Sequence, residues 1–273
     1  MIDAHHHFWN YDPVNYSWID ESMTKIRRSF LPEEFGSLLH YFGIEGSVLV
    51  QVNQTEDENE LFLRYAGENE FIKGVIGWVD LRANNLTERL EYYSGKSKLK
   101  GFRHIVQGES DDFLMQQDFI YGVRKLKDFD FTYDILIYER QLKAALHLVR
   151  ELPDNKLIID HIAKPDIKNK SLNRWSNYMR EIARHENVFV KVSGMVTEAD
   201  FSHWKKEDFF IYLDHVLEFF GTDRLVYGSD WPVCLVAADY AEQLDILQTY
   251  FSKLSENEQK KIFGENAKVF YGL

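Results

Sequence analysis

The sequence predicts an α/β protein folded as a single (β/α)8 TIM barrel over residues 1–273. Two observations carry that expectation. Eight short β-rich runs alternate with longer stretches whose apolar residues recur at helical spacing, the pattern of parallel βαβ units. Neither GxGxxG nor GxxxxGK[ST] occurs, so an open, doubly wound nucleotide-binding sheet loses its fingerprint, and eight repeats at this length favour closure.

Taken in order, the first strand is expected at Met1–His6 and the first helix at Glu33–Tyr41. Between them lies Phe8–Leu31, the longest irregular stretch, rich in aromatics, and a loop of that length in a compact fold reads as a functional cover. The next strand-helix pairs are Ser47–Asn53 with Asp57–Glu68, Ile72–Val79 with Leu86–Tyr93, and Leu99–Val106 with Gln117–Lys127. Phe131–Ile137 pairs with Glu139–Glu151, and Lys156–His161 with Leu172–His185. Val188–Val192 precedes Glu207–Phe220, Arg224–Ser229 precedes Tyr240–Lys253, and a last helix covers Glu256–Tyr271. No linker, repeat block or low-complexity run divides the chain, so one domain is expected.

Composition narrows the function classes. Asp and Glu outnumber Lys and Arg, 44 to 32, and the net charge of -12 supplies no positive field for a phosphate backbone, which argues against nucleic acid. Cys234 is the single cysteine, so no intramolecular disulfide can form, and a reducing, cytoplasmic setting is expected. The chain opens on Met1-Ile2-Asp3-Ala4-His5 without a basic or apolar leader, and it holds no apolar run long enough for a bilayer; no membrane partner is expected.

In a barrel of this kind the site is built at the C-terminal ends of the strands. The polar residues there are His5, His7, Gln51, Asn53, Trp78, Asp80, Arg103, His104, Asp134, Tyr138, His161, Lys191, Ser193 and Asp230. Side chains alternate along a strand, so His5 and His7 share one face while His6 points away. Two imidazoles at that spacing can grip one cation when a further ligand arrives from elsewhere, and His161 and Asp230 each end an apolar run from which it can come. Plainer readings stand beside these. The histidine triplet can be a tag remnant, Asp230 a helix cap, His161 a satisfied core histidine, and Arg103 with His104 an ordinary ion pair. Lys191, in an apolar strand, needs a partner or a task, whereas Asp134 reads as structural. His40, His147, His185, His203 and His215 receive no role.

At these residues the sequence resembles the amidohydrolase superfamily, and within it the sugar-lactonase-like branch of fuconolactonases, rhamnonolactonases and pyrone-dicarboxylate lactonases. The resemblance runs nearly the whole chain, through IDAHHHFW, FLPEEF, GFRHI, IDHIAKP, VKVSGM, YGSDWPV and GENAKVFY in order. It implies a metal-dependent-hydrolase type of barrel, with His5 and His7 as the HxH of the first strand, His161 as the later strand-end histidine and Asp230 as the eighth-strand aspartate. The strand lysine that carries a bridging carbamate in binuclear members has no counterpart, since Gly101-Phe102-Arg103-His104 and Tyr133-Asp134-Ile135 occupy those strands. The resemblance therefore implies at most one divalent ion on His5, His7, His161 and Asp230, zinc first among the candidates, with metal-independent catalysis left open.

The expected activity is hydrolysis of a sugar 1,4- or 1,5-lactone to the aldonic acid in carbohydrate catabolism. Asp230 would activate water, and His5, His7 and His161 would polarise the carbonyl, with or without the metal. Substrate contacts are expected from Arg103, His104, Gln51, Lys191, Trp9, Trp18 and Trp231. A metal-dependent, non-oxidative decarboxylase of an aromatic or unsaturated acid and a non-catalytic sugar-acid-binding barrel are the rival readings.

Overall fold

The computed structural model describes residues 1–273. Eight strands form one parallel sheet in sequence order: β1 (Ile2–His6), β2 (Gly46–Val50), β3 (Ile72–Gly77), β4 (Leu99–Ile105), β5 (Thr132–Leu136), β6 (Leu157–Ile159), β7 (Val188–Val192) and β8 (Leu225–Tyr227). The ends meet through a parallel bridge between His6 and Trp231, where the His7 amide donates to Trp231 O at 2.7 Å and the Asp230 amide to His5 O at 2.8 Å. The sheet is thereby a closed (β/α)8 barrel.

The helices follow as α1 (Pro32–Tyr41), α2 (Glu56–Glu68), α3 (Leu86–Ser94), α4 (Gln117–Lys125), α5 (Leu142–Glu151), α6 (Asn173–Ala183), α7 (Glu207–Phe220) and α8 (Tyr240–Phe251), one after each strand. Local chemistry sets several of their starts: proline opens α1, the Thr55 hydroxyl caps α2, and an Asp239–Glu242 capping box begins α8. The C-terminal segment runs through α9 (Glu256–Lys260), a π turn (Lys261–Glu265) and α10 (Asn266–Tyr271). The helices and the outer strand faces bury one large apolar cluster. A smaller cluster joins Ile2, Ala4, Val48, Val50, Ile76, Ile158 and Val226 from five strands, and Ala267, Phe270 and Tyr271 of α10 close it from below.

The sequence boundaries hold to within a few residues, and at two strands the small difference bears on the site. Strands six and eight end at Ile159 and Tyr227, so His161 and Asp230 stand on turns beyond their strands. His161, Ile162, Ala163 and Lys164 all have positive φ, as does Asp230 at 60°. For non-glycine residues that conformation costs roughly 1–2 kcal/mol each and persists only where surrounding contacts enforce it. One such contact is the buried Trp175 indole, which donates to Ile162 O at 2.7 Å.

On the outer side of β1, His6 stacks on Phe35 of α1 with ring centroids 4.1 Å apart, and neither of its ring nitrogens has a partner. Burial pushes its pKa well below the usual imidazole value, and the neighbouring His7 ring adds to the effect. The folded state therefore holds fewer protons than the unfolded state below about pH 6.5, and stability is lost as the pH falls through that region. His6→Leu removes both the unpaired polar atoms and this linkage. Urea unfolding should show the variant gaining on the wild type by up to about 2 kcal/mol between pH 6.5 and pH 5.

Candidate active site

The first strand supplies two imidazoles because its alternation is interrupted once. The β1–β2 register slips between Asp3 and His6, so Asp3 turns outward to the Tyr240 hydroxyl of α8 while His5 turns inward. His5 Nε2 then lies 3.2 Å from His7 Nε2. The His7 Nδ1–H donates to Val50 O at 2.8 Å, an assignment forced by a partner that can only accept, and the Nε2 lone pair is left facing Asp230. Asp230 Oδ1 lies 3.4 Å from His7 Nε2, 3.8 Å from His5 Nε2 and 3.8 Å from His161 Nε2. On its other side the His161 ring meets the Ser193 hydroxyl, Nδ1 to Oγ at 2.9 Å.

His161 fits there because Gly194 follows Ser193. A Cβ on Gly194 would fall 2.5 Å from His161 Nδ1, and the residue's φ of +59° disfavours a side chain in any case. Gly194→Ala should displace the ring and lower turnover by at least about tenfold, in line with the loss that follows small misplacements of reacting groups. A variant with wild-type kcat would show that the position of His161 is unimportant.

Beneath the histidines lies a buried ionic layer. Lys191 on β7 donates to Asp134 Oδ2 at 2.5 Å, sits 3.0 Å from Asp160 Oδ1 and approaches His5 Nδ1 at 3.1 Å. Arg103 on β4 meets Asp160 Oδ2 at 3.0 Å, His5 Nε2 at 3.2 Å, Gln51 Oε1 through both Nε and Nη2, and the Gln51 carbonyl. Tyr271 rises from α10 to donate to Asp134 Oδ2 at 2.9 Å, tying the C-terminus to the floor of the site.

These surroundings fix the charge states. Burial drives His5 well below the ordinary imidazole value and brings His161 down to about 4, against the opposing pull of nearby carboxylates. Burial pushes the Asp230 carboxyl up, but the rings of His161, His7 and His5 outweigh it and hold the group below the usual carboxylate range. Asp160 is likewise held low, because Lys191, His5 and Arg103 overcome its burial. Near neutrality the site thus combines neutral imidazoles with an ionised Asp230.

Above this floor opens a cavity of about 590 Å³ lined by His7, Arg103, His161 and Asp230. The stretch 8–31 folds over it, pinned at its base by reciprocal Trp9–Phe30 backbone hydrogen bonds of 3.0 and 2.9 Å, and lends Trp18 and Met23 to the wall. The expected substrate contacts divide accordingly. Trp18 faces the cavity and is 40% exposed, and Arg103 reaches its edge with all five N–H groups already committed. Gln51 and Lys191 stand behind the wall, fully buried.

Three residues take other places. His104 points to the helical shell, stacked on Phe113 and bonded to Glu109 at 3.0 Å, because neighbours on a strand face opposite sides and Arg103 holds the inner one. Trp9 is buried with its indole N–H on Arg28 O at 2.8 Å, and Trp231 is stacked on Phe35, so packing occupies both rings. Asp160 is not among the site residues expected from the sequence, and strand alternation alone would turn it away from His161. The left-handed turn after β6 brings both inward, and the Asp-His pair in IDHIAKP is the only trace of it in the sequence.

The donor set suits a divalent ion. Atoms of His5, His161 and Asp230 lie within 4.8 Å of one another, and His7 Nε2 adjoins two of them. Bonds of about 2.0–2.1 Å in a tetrahedron separate ligand atoms by about 3.3–3.4 Å. Four of the six separations lie near that value, at 3.2–3.8 Å, and the His7 Nε2 lone pair facing the Asp230 carboxylate favours a shared cation; His5, His161 and Asp230 form the tighter group.

Residues 2–273 match the amidohydrolase family model. The chain belongs to the amidohydrolase family. A curated L-fucono-1,5-lactonase of Burkholderia multivorans is 37% identical to this amidohydrolase, over 100% of the chain and 96% of the relative. Another, from Burkholderia ambifaria, is 32% identical over 100% and 95%. Among solved structures, an amidohydrolase of Burkholderia multivorans with bound zinc superposes on the amidohydrolase described here with a TM-score of 0.96, at 37% identity, covering 100% and 99% of the two chains.

Proposed function

We propose that this amidohydrolase opens sugar lactones to their aldonic acids, with L-fucono-1,5-lactone the first candidate substrate and 1,4-lactones of related sugars next. The kinship with two L-fucono-1,5-lactonases over the full chain supports the substrate class. The observation that carries the chemistry is the Asp230 carboxyl lining a cavity, with three imidazole nitrogens 3.4–3.8 Å from one of its oxygens.

Asp230 takes a proton from the attacking water as its oxygen bonds to the lactone carbonyl carbon. When the acyl C–O bond then breaks, Asp230 returns that proton to the departing ring oxygen, so one general base serves both halves of the reaction. The rings of His7 and His161 frame the carboxylate, fixed from behind by Val50 O and Ser193 Oγ respectively. Trp18 and Met23 on the covering loop restrict water around the reacting carbonyl. A divalent ion held by His5, His7, His161 and Asp230, zinc the leading candidate, supplies Lewis acidity toward the carbonyl and the water when bound.

No helix is long and apolar enough to cross a membrane. We assign the enzyme to cytoplasmic carbohydrate catabolism, a reading supported by the single buried cysteine and by a sugar-derived substrate.

The test is a pH-indicator assay over sugar 1,4- and 1,5-lactones, with and without a chelator. Acid release on this panel, reduced by chelation and restored by zinc, is the expected result. Inactivity on every lactone, or carbon dioxide release from an aromatic acid, would overturn the reading.

A further inference from the structure

The cavity carries a second polar cluster, separate from Asp230 and its histidines. Lys164 is the last residue of the left-handed run His161–Lys164, so the turn that presents His161 to the cavity also delivers this ammonium group. Lys164 Nζ donates to Glu198 Oε1 at 2.6 Å and to Thr197 Oγ1 at 3.1 Å. The two charged side chains are only 11% and 19% exposed, and both line the cavity. Two of the three ammonium protons are thereby engaged, and Glu198 Oε2 accepts no hydrogen bond from the protein. A charged donor and a charged acceptor are thus left side by side toward the cavity. The wall formed by Met23, Val233, Val236 and Phe201 is apolar and offers a ligand no hydrogen bond.

We infer that Lys164, Glu198 and Thr197 form a hydroxyl-binding subsite that takes two neighbouring hydroxyls of the substrate ring and selects polyhydroxylated lactones over plain ones. Lys164 donates to one hydroxyl oxygen, and the Glu198 carboxylate accepts the proton of the next. An anionic ligand fits worse, because Glu198 already neutralises the ammonium and would repel a second carboxylate. A neutral diol satisfies both groups at once, through hydrogen bonds strengthened by charge and by burial. A site that hydrogen-bonds substrate hydroxyls discriminates strongly against analogues without them, since its buried polar groups are then left unpaired.

This inference rests on the proposed lactonase reading, and its test separates the two. Wild type, Lys164→Met and the shape-preserving Glu198→Gln are assayed on L-fucono-1,5-lactone and on δ-valerolactone, which has the same ring size and no hydroxyls. The ratio of kcat/KM for the sugar lactone over δ-valerolactone should fall about 10- to 100-fold in each variant, carried mainly by KM. An unchanged ratio, whatever the absolute rates, overturns the subsite. If Lys164→Met does not fold, Glu198→Gln alone decides. A wild type inactive on both compounds and on the rest of the lactone panel sinks the lactonase reading, and calorimetric titration with L-fucono-1,4-lactone then tests the subsite by itself. Binding that the variants lose supports it, while absent binding or binding unaffected by the substitutions overturns it.

Discussion

Asp230→Asn lowers kcat on a sugar lactone by about 10²–10⁴-fold, with a much smaller change in KM. The amide has nearly the shape of the carboxylate and tolerates the positive φ of 60° at this position, so the backbone and the Asp230 amide bond to His5 O survive. What disappears is the capacity to accept a proton, together with the negative charge among the three imidazoles. Steady-state rates read alongside the melting temperature separate that chemical loss from unfolding. A folded variant with full activity would place the base elsewhere and end the mechanism.

The second large effect is on stability. Lys191→Met leaves Asp134 and Asp160 buried, with their shared ammonium replaced by a thioether. Removing one partner of a buried ionic group costs about 3–5 kcal/mol, because the remaining charges cannot be rehydrated. The Asp134 carboxyl is already pushed above the usual carboxylate range, since burial and the neighbouring Asp160 charge raise it more than Lys191 and the Tyr271 hydroxyl lower it. Without the lysine it should rise further.

The sign follows from linkage. A carboxyl whose folded pKa lies above its unfolded value binds more protons when folded, so the variant loses stability as the pH rises from about 4 through the folded value. Urea midpoints should therefore show a larger deficit at pH 8 than at pH 5. Adding Asp134→Asn to Lys191→Met should recover part of the loss at pH 8, because the two side chains are in direct contact. Equal stability of wild type and Lys191→Met across this range would mean that the lysine is not the counter-charge.

Much of the fold was legible because it rests on local periodicity. Strand runs such as Val188–Val192 and helical runs such as Glu207–Phe220 repeat their apolar residues at the spacing of the element they form, and both have the expected bounds. The opposite faces taken by His5 and His6 were likewise readable from strand alternation. Alternation also sets Arg103 inward and His104 outward, but the pair of residue names does not say which of the two faces the cavity. The tryptophans show a related limit. Trp9, Trp18 and Trp231 are alike in sequence, yet only Trp18 borders the cavity, because Phe30 and Phe35 pack against the other two rings.

By itself, then, the sequence determined an eight-fold alternation of strand and helix, and it marked His5, His7, His161 and Asp230 as chemistry-bearing residues near strand ends. Only the tertiary structure decided that Asp160, Lys164, Glu198 and Gly194 belong to the same region. The physical reason is that a strand's pattern is fixed by neighbours two residues apart, whereas the left-handed turn at 161–164 is imposed by contacts such as Trp175 with Ile162, thirteen residues away. Barrel closure acts over greater distance still, since it sets Lys191 beside His5 across 186 residues of chain.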